Sequence, residues 1–384
     1  VDNSGQRSRT ETVRVAGYPH RVQLSHRVLN RATLERQLLL RRAKMPVLDA
    51  VAHLAGLQAQ APFPPYYALW CRLQGFRPDD LSRLLLDRSV VRMVLMRGTV
   101  HLVPAADALA WRPLVQTVMD RAVTANNDHR EPLSKIDHDA VSKTVRELLR
   151  ERPYSSDQLG KTLAEHYPGT PAASLMFLAR AALPLVQIPP RGVWGKAGQP
   201  TYQVADHWLD GVSVADPSAA GLVCRYLAAF GPATVADMQT WAGVTKLSEV
   251  VEKMDLRTYR DPNGRTLYDL PEATVPDEDT PAPPRLLGPF DQTLLSYADR
   301  TRVISDNHRK RVITQNGLVK GTLLVGGQVK GLWETTSARG SATLVMTPFE
   351  RLPKRDAAAL ESAGRRLLTW SDPGLTHDVR LVSG

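Results

Sequence analysis

One order of signals recurs three times between residues 25 and 270: helical periodicity, a short helix, another helix, then two short strands about a turn. Helices closed by a two-stranded wing are the winged-helix pattern, and three in series constrain the fold more than any single motif here. The recurrence is one of pattern, not of residue identity. In the first unit Leu29, Leu34 and Leu38 to Leu40 predict a helix, and Val47, Val51, Leu54 and Leu57 predict a second with Pro46 at its start. Tyr67, Trp70, Cys71 and Leu73 predict a third, ended by Gly75, and Leu81 to Leu86 a short fourth. Val90 to Met96 and Val100 to Val103 read as strands about Arg97-Gly98-Thr99.

The second unit repeats the scheme through Val141 to Leu149, a helix capped by Ser155, a helix opened by Pro171, and strands at Val186 to Trp194 and Tyr202 to Val204. In the third, Thr234 caps a helix and Asp261-Pro262-Asn263-Gly264 marks the wing turn. The expected fold class is therefore α+β. Winged helices are expected at 25–134, 135–212 and 213–270, after a flexible extension at 1–24. A proline-rich acidic linker at 271–284 then leads to a mostly β domain with a terminal helix at 285–384.

Charge adds a partner class. The 384 residues carry a formal net charge of +10, concentrated in Arg7 to Lys44 and in the knot Arg300 to Arg311. Such clusters suit a polyanion, with a solvated surface as the plain alternative. Cys71 and Cys224 sit far apart in apolar helical patterns, so two thiols are expected, with neither a disulfide nor zinc spacing. No apolar run has membrane-spanning length, and the opening stretch is too polar for a secretory segment, so a cytoplasmic location is expected.

The chemistry rests on Gln58-Ala59-Gln60, which precedes a proline-rich elbow and then Tyr66, Tyr67 and Trp70. On an extended backbone the i, i+2 spacing places both amides on one side; on a helix they diverge, and a polar helix end is the plain alternative. Neutral amides cannot act as a strong base, so any reaction here must need only positioning. No phosphate-cradling loop, zinc spacing or carboxylate constellation is legible, and no cofactor or metal is expected. No lysine nucleophile is identifiable either.

Leu57-Gln58-Ala59-Gln60-Ala61-Pro62, with Leu38 to Arg42 before it and Trp70 to Gly75 after it, resembles a known winged-helix family. Arg97-Gly98-Thr99-Val100-His101-Leu102-Val103, Gly288-Pro289-Phe290-Asp291 and Asp299-Arg300 extend the likeness from about residue 25 to the end. The family is the one containing the azinomycin-resistance DNA glycosylase of streptomycetes. The resemblance implies three tandem winged helices and a β domain forming a C-shaped DNA clamp, with Gln58 and Gln60 as the catalytic pair. It also places the hairpin from Val94 to Val103 beside the lesion.

On that basis Arg97, Thr99 and His101 are expected to probe DNA, Arg97 facing phosphate or the groove. Arg300, Arg302, Arg309, Lys310 and Arg311 are expected on backbone phosphate. The implied activity is monofunctional hydrolysis of the N-glycosidic bond of cationic N7-alkylguanine, bulky natural-product adducts and interstrand crosslinks included. It would serve repair or self-resistance. Double-stranded DNA is the expected partner of a monomer. A non-catalytic winged-helix DNA binder, a regulator or lesion sensor, is the alternative.

Overall fold

A computed structural model describes residues 22–382. It is a mixed α/β chain whose strands fall into three sheets among the described residues. The first sheet contains β1 (Leu57–Gln58), β2 (Val90–Val94), β3 (Val100–Pro104), β4 (Tyr154–Ser155), β5 (Leu185–Ile188) and β6 (Thr201–Val204). All pairings in it are antiparallel, in the order β1-β3-β2-β5-β6-β4. The two expected wings are thus one sheet, joined where Arg92 and Met93 of β2 pair with Gln187 and Val186 of β5. Hairpin periodicity signals each ladder but carries nothing about edge-to-edge pairing between hairpins.

Side chains alternate across the sheet. Val91, Met93 and Val103 join a core shared with the second and third units. Val90, Val100, Leu102 and Ala59 join a core shared with the C-terminal unit. The β2–β3 hairpin is therefore held from both sides. Its tip is Met96-Arg97-Gly98-Thr99, with Arg97 (φ 56°, ψ 17°) and Gly98 (φ 69°) both left-handed, as the favoured two-residue hairpin turn requires. The expected strand Val90 to Met96 accordingly stops at Val94.

Two predicted helices are shorter than expected, for local reasons. The helix His26–Arg36 excludes Leu38 to Leu40, because Leu38 turns left-handed (φ 57°) and sends Leu39 and Leu40 into the core by another route. The helix Val47–His53 ends before Leu57, because Ala55 (φ 54°) and Gly56 (φ 82°) reverse the chain into β1. A Cβ on Gly56 would stand 2.4 Å from Val103 Cγ1, so glycine alone allows β1 to approach β3.

The second and third units start their helices with the caps read from sequence: Ser155 accepts from Gln158 N–H, and Thr234 from Asp237 N–H. β7 (Arg257–Arg260) and β8 (Thr266–Asp269) form a separate hairpin about the Asp261 turn. Most of the 1–24 extension lies outside the described residues. Its last residues are not free, since Leu24 N–H donates to Arg260 O and Arg260 N–H to Val22 O. The 271–284 segment is also docked: Arg27 donates to the Glu278 carbonyl and Arg31 to that of Thr280.

The C-terminal unit contains β9 (Arg285–Leu287), β10 (Gly321–Val325), β11 (Gln328–Ala338), β12 (Ser341–Pro348) and β13 (Thr376–Leu381). These run antiparallel except for the β12–β13 pair, which is parallel. The helix Lys354–Ser371 buries Leu360, Ala363, Leu367 and Leu368 in the core formed with this sheet. Tyr67, Trp70, Phe76, Trp194 and Trp370 form an aromatic contact network between the first unit, the 189–200 loop and this helix. Tyr67 and Trp70 therefore join units instead of offering free stacking faces.

Candidate active site

Gln58 is almost fully buried in β1, directly opposite His101 of β3. Ala59 carries the pairing one step further, its N–H donating to Val100 O at 2.7 Å. There the ladder opens. The Ala59 carbonyl turns to Arg92 Nη2 at 3.0 Å, and the Val100 N–H donates instead to Gln60 Oε1 at 3.1 Å. Of the two settings the spacing left open, the motif thus takes the extended one at Gln58, whose amide meets Arg97 of the turn while that of Gln60 meets the Val100 N–H of β3. Gln60 is exposed.

Both amide orientations follow from obligate donors. Arg97 Nη2 donates to Gln58 Oε1 at 2.9 Å, and the Val100 N–H can only donate, so the atoms facing them are oxygens. Each oxygen retains a second lone pair, and each carboxamide its two N–H donors. His101 is buried, with Nδ1 3.0 Å from Thr99 O. A carbonyl accepts only, so Nδ1 carries the hydrogen and Nε2 turns its lone pair toward Arg97 Nη2 at 3.4 Å. Burial, reinforced by the Arg97 charge, pushes the imidazole pKa down to about 3, and the ring is neutral.

Arg92 supports the motif from the other face of the sheet. Its guanidinium donates to the carbonyls of Ala59 and Pro62 and to Gln187 Oε1, fixing the elbow between β1 and the helix Pro64–Arg72. Burial and Arg191 lower its pKa to about 10, so it stays cationic at neutral pH. Arg92 was not singled out in the sequence, although a cation inside the apolar run Val90–Val94 is itself a signal that its head group has partners. The Trp241 carbonyl, which accepts from Arg97 Nη1 at 2.5 Å, has no sequence signature at all. Among the described residues no Asp or Glu side chain hydrogen-bonds to Gln58, Gln60, Arg97 or His101.

The remaining expected residues separate into three groups. Arg97 is turned inward to Gln58 and Trp241, not outward to phosphate, and the Thr99 hydroxyl donates to Met96 O within the turn. Arg302 is buried: it stacks on Tyr297, donates to Pro232 O and lies 4.0 Å from Asp237. Its expected phosphate role is corrected to one of packing. Lys310 and Arg311 are exposed on the helix Asp306–Val312, while Arg309 is half-buried and lies 3.4 Å from Asp306. Arg300 is half-buried; burial, with the charge of Arg309, lowers its pKa, and burial, with the charge of Arg300, lowers that of Arg97 to about 10.

The family described as DNA glycosylase AlkZ-like matches residues 51–370, a span that takes in the Gln58–Gln60 motif, the hairpin and the basic helix. The chain belongs to the AlkZ-like DNA glycosylase family. It is thereby a DNA glycosylase by family. An interstrand DNA cross-link repair glycosylase of Streptomyces sahachiroi is 27% identical over 350 residues, covering 83% of this chain and 90% of that one. The solved structure of Streptomyces sahachiroi DNA glycosylase AlkZ superposes with a TM-score of 0.77 at 24% identity, over 94% of this chain and all of that one. This AlkZ-like chain therefore shares the fold over nearly its whole length, and none of its described helices is long and apolar enough to cross a membrane.

Proposed function

We propose that the chain hydrolyses the N-glycosidic bond of cationic N7-alkylguanine in double-stranded DNA, bulky adducts and interstrand crosslinks included. The observation that carries this reading is the pair of carboxamides with oxygens fixed by Arg97 and Val100 and, among the described residues, no carboxylate bonded to them. N7 alkylation makes the base a good leaving group, so cleavage through a sugar of oxocarbenium character needs no strong acid or base. What remains is to hold a water against C1′: the alkylguanine leaves neutral with the C1′–N9 electron pair, the water oxygen bonds to C1′, and one water proton is released to solvent. The second lone pair of each Gln oxygen accepts from that water, and the fixed geometry spares reorganisation in the transition state. The neutral His101 adds no competing acid.

The fold fits an open site. The helices, the continuous six-stranded sheet and the separate β7–β8 hairpin support a reading as three tandem winged helices, with the C-terminal unit completing a C-shaped clamp around the duplex. An open clamp accepts adducts too large for a closed flipping pocket. The Streptomyces sahachiroi relative, an interstrand DNA cross-link repair glycosylase, supports the inclusion of crosslinks. The exposure of Lys310 and Arg311 on the helix Asp306–Val312 supports an assignment of this basic segment, with Arg300 and Arg309, to phosphate contact.

Duplex DNA with one N7-methylguanine, one uncharged lesion or one N7-linked crosslink tests the reading. Release of methylated base and an alkali-labile site, without direct strand scission, is expected for the first. Unhooking is expected for the crosslink, and little release from the uncharged lesion. Binding without release of any cationic lesion would leave the non-catalytic alternative standing.

A further inference from the structure

Arg97 occupies an unusual place for its residue type. It sits left-handed (φ 56°) at the first central position of the hairpin turn, where asparagine, aspartate or glycine is the ordinary choice. A side chain kept in such a backbone is held by what surrounds it. Here the guanidinium reaches out of the turn to Trp241 O at 2.5 Å and Gln58 Oε1 at 2.9 Å, with His101 Nε2 at 3.4 Å. Trp241 lies in the last turn of the helix Val235–Ala242, whose free carbonyls carry partial negative charge. A cation without a carboxylate partner is therefore met by a helix C-terminus. The approach is tight, since a Cβ on Gly243 would stand 3.0 Å from Arg97 N.

We infer that Arg97 is a positioning residue that acts through Gln58, locking its amide with the oxygen toward the guanidinium and tying that lock to the third unit. This inference rests on the proposed role of Gln58. A flip of the Gln58 amide would set its N–H groups against the Arg97 N–H groups, so one orientation is held. The free lone pair of Oε1 is then presented in one direction. The third unit sets that direction, although it contributes no side chain to the pair. A point charge does not replace this arrangement, because a lysine ammonium lacks the planar fork that meets Trp241 O and Gln58 Oε1 together.

The experiment compares wild type, Arg97→Ala, Arg97→Lys and Gln58→Ala on an N7-methylguanine duplex, reading single-turnover excision at saturating enzyme, DNA affinity against salt, and the unfolding midpoint. Both Arg97 variants are expected to lose about 10- to 100-fold in excision rate, while Kd shifts by less than about threefold and its salt slope is unchanged. Millimolar guanidinium is expected to restore part of the rate to Arg97→Ala and none to Gln58→Ala. Retention of the rate by Arg97→Lys would overturn the inference in favour of a charge effect. Weaker binding with a shallower salt slope and an intact saturating rate would overturn it in favour of phosphate contact. Should Arg97→Ala fail to fold, Arg97→Lys decides alone. Absence of excision by wild type would remove the proposed function itself, whereas wild-type excision abolished by Gln58→Ala but unaffected by either Arg97 variant would remove only this inference.

Discussion

Arg72 and Asp291, 219 residues apart, form a two-pronged ion pair with both side chains fully buried, at 2.7 and 2.9 Å. The pair joins the helix after the Gln58–Gln60 elbow to the C-terminal unit. Burial works against both charges, yet Arg72, with help from Thr293, holds the Asp291 carboxyl below the usual carboxylate range. Removing one partner strands the other charge. Asp291→Asn or Arg72→Met is expected to cost about 3–5 kcal/mol, measured by denaturant unfolding. The folded pKa of Asp291 is depressed, so its contribution is present above the unfolded value and is lost as pH falls through the folded one.

Arg302 and its neighbours on the basic helix are expected to fail differently when removed. Arg302→Ala empties a buried site between Tyr297, Pro232 and Asp237, and its effect is a lowered melting temperature. Lys310→Ala and Arg311→Ala leave the fold intact, weaken binding to all duplexes alike and each reduce the salt slope of log Kd by about 1. Fluorescence anisotropy across salt concentrations, set beside thermal melts, separates the two behaviours. A salt-slope change for Arg302→Ala without destabilisation would contradict its assignment to packing.

His101 gives a pH signature. Its folded pKa, about 3, lies far below the ordinary 6.5, so protonation favours the unfolded chain. Its contribution to stability is complete above about 6.5 and declines as pH falls toward about 3. Urea unfolding of wild type and His101→Gln is expected to show a stability gap that narrows between pH 7 and pH 5. The single-turnover rate is expected to show no ionisation near 6.5, because the ring stays neutral throughout that range.

The caps at Ser155 and Thr234, the hairpin about Arg97-Gly98 and the terminal helix were legible because each depends on residues close in sequence. The extended setting of Gln58 was not, because the i, i+2 spacing left a helix end equally open and the turn at Ala55-Gly56 decides it. The ends of the first two helices were not, because left-handed turns at Leu38 and Ala55 use residues that carry no breaker signal. The fusion of two wings through Met93 and Val186 depends on pairing across nearly a hundred residues, which periodicity does not encode. Arg302 read as a surface cation because its partners come from distant segments and two of them, Pro232 and Tyr297, are not charged. The same reason hid the inward turn of Arg97, whose anchor is a main-chain carbonyl.

Gln58 and Gln60 are proposed to carry the reaction as neutral, fixed amides. Single-turnover excision of N7-methylguanine by wild type, Gln58→Ala and Gln60→Ala, at enzyme concentrations above each Kd, tests this most directly. A loss of about 100-fold or more in rate is expected for each variant, with DNA affinity held within about threefold. Full excision by both variants would contradict this proposal.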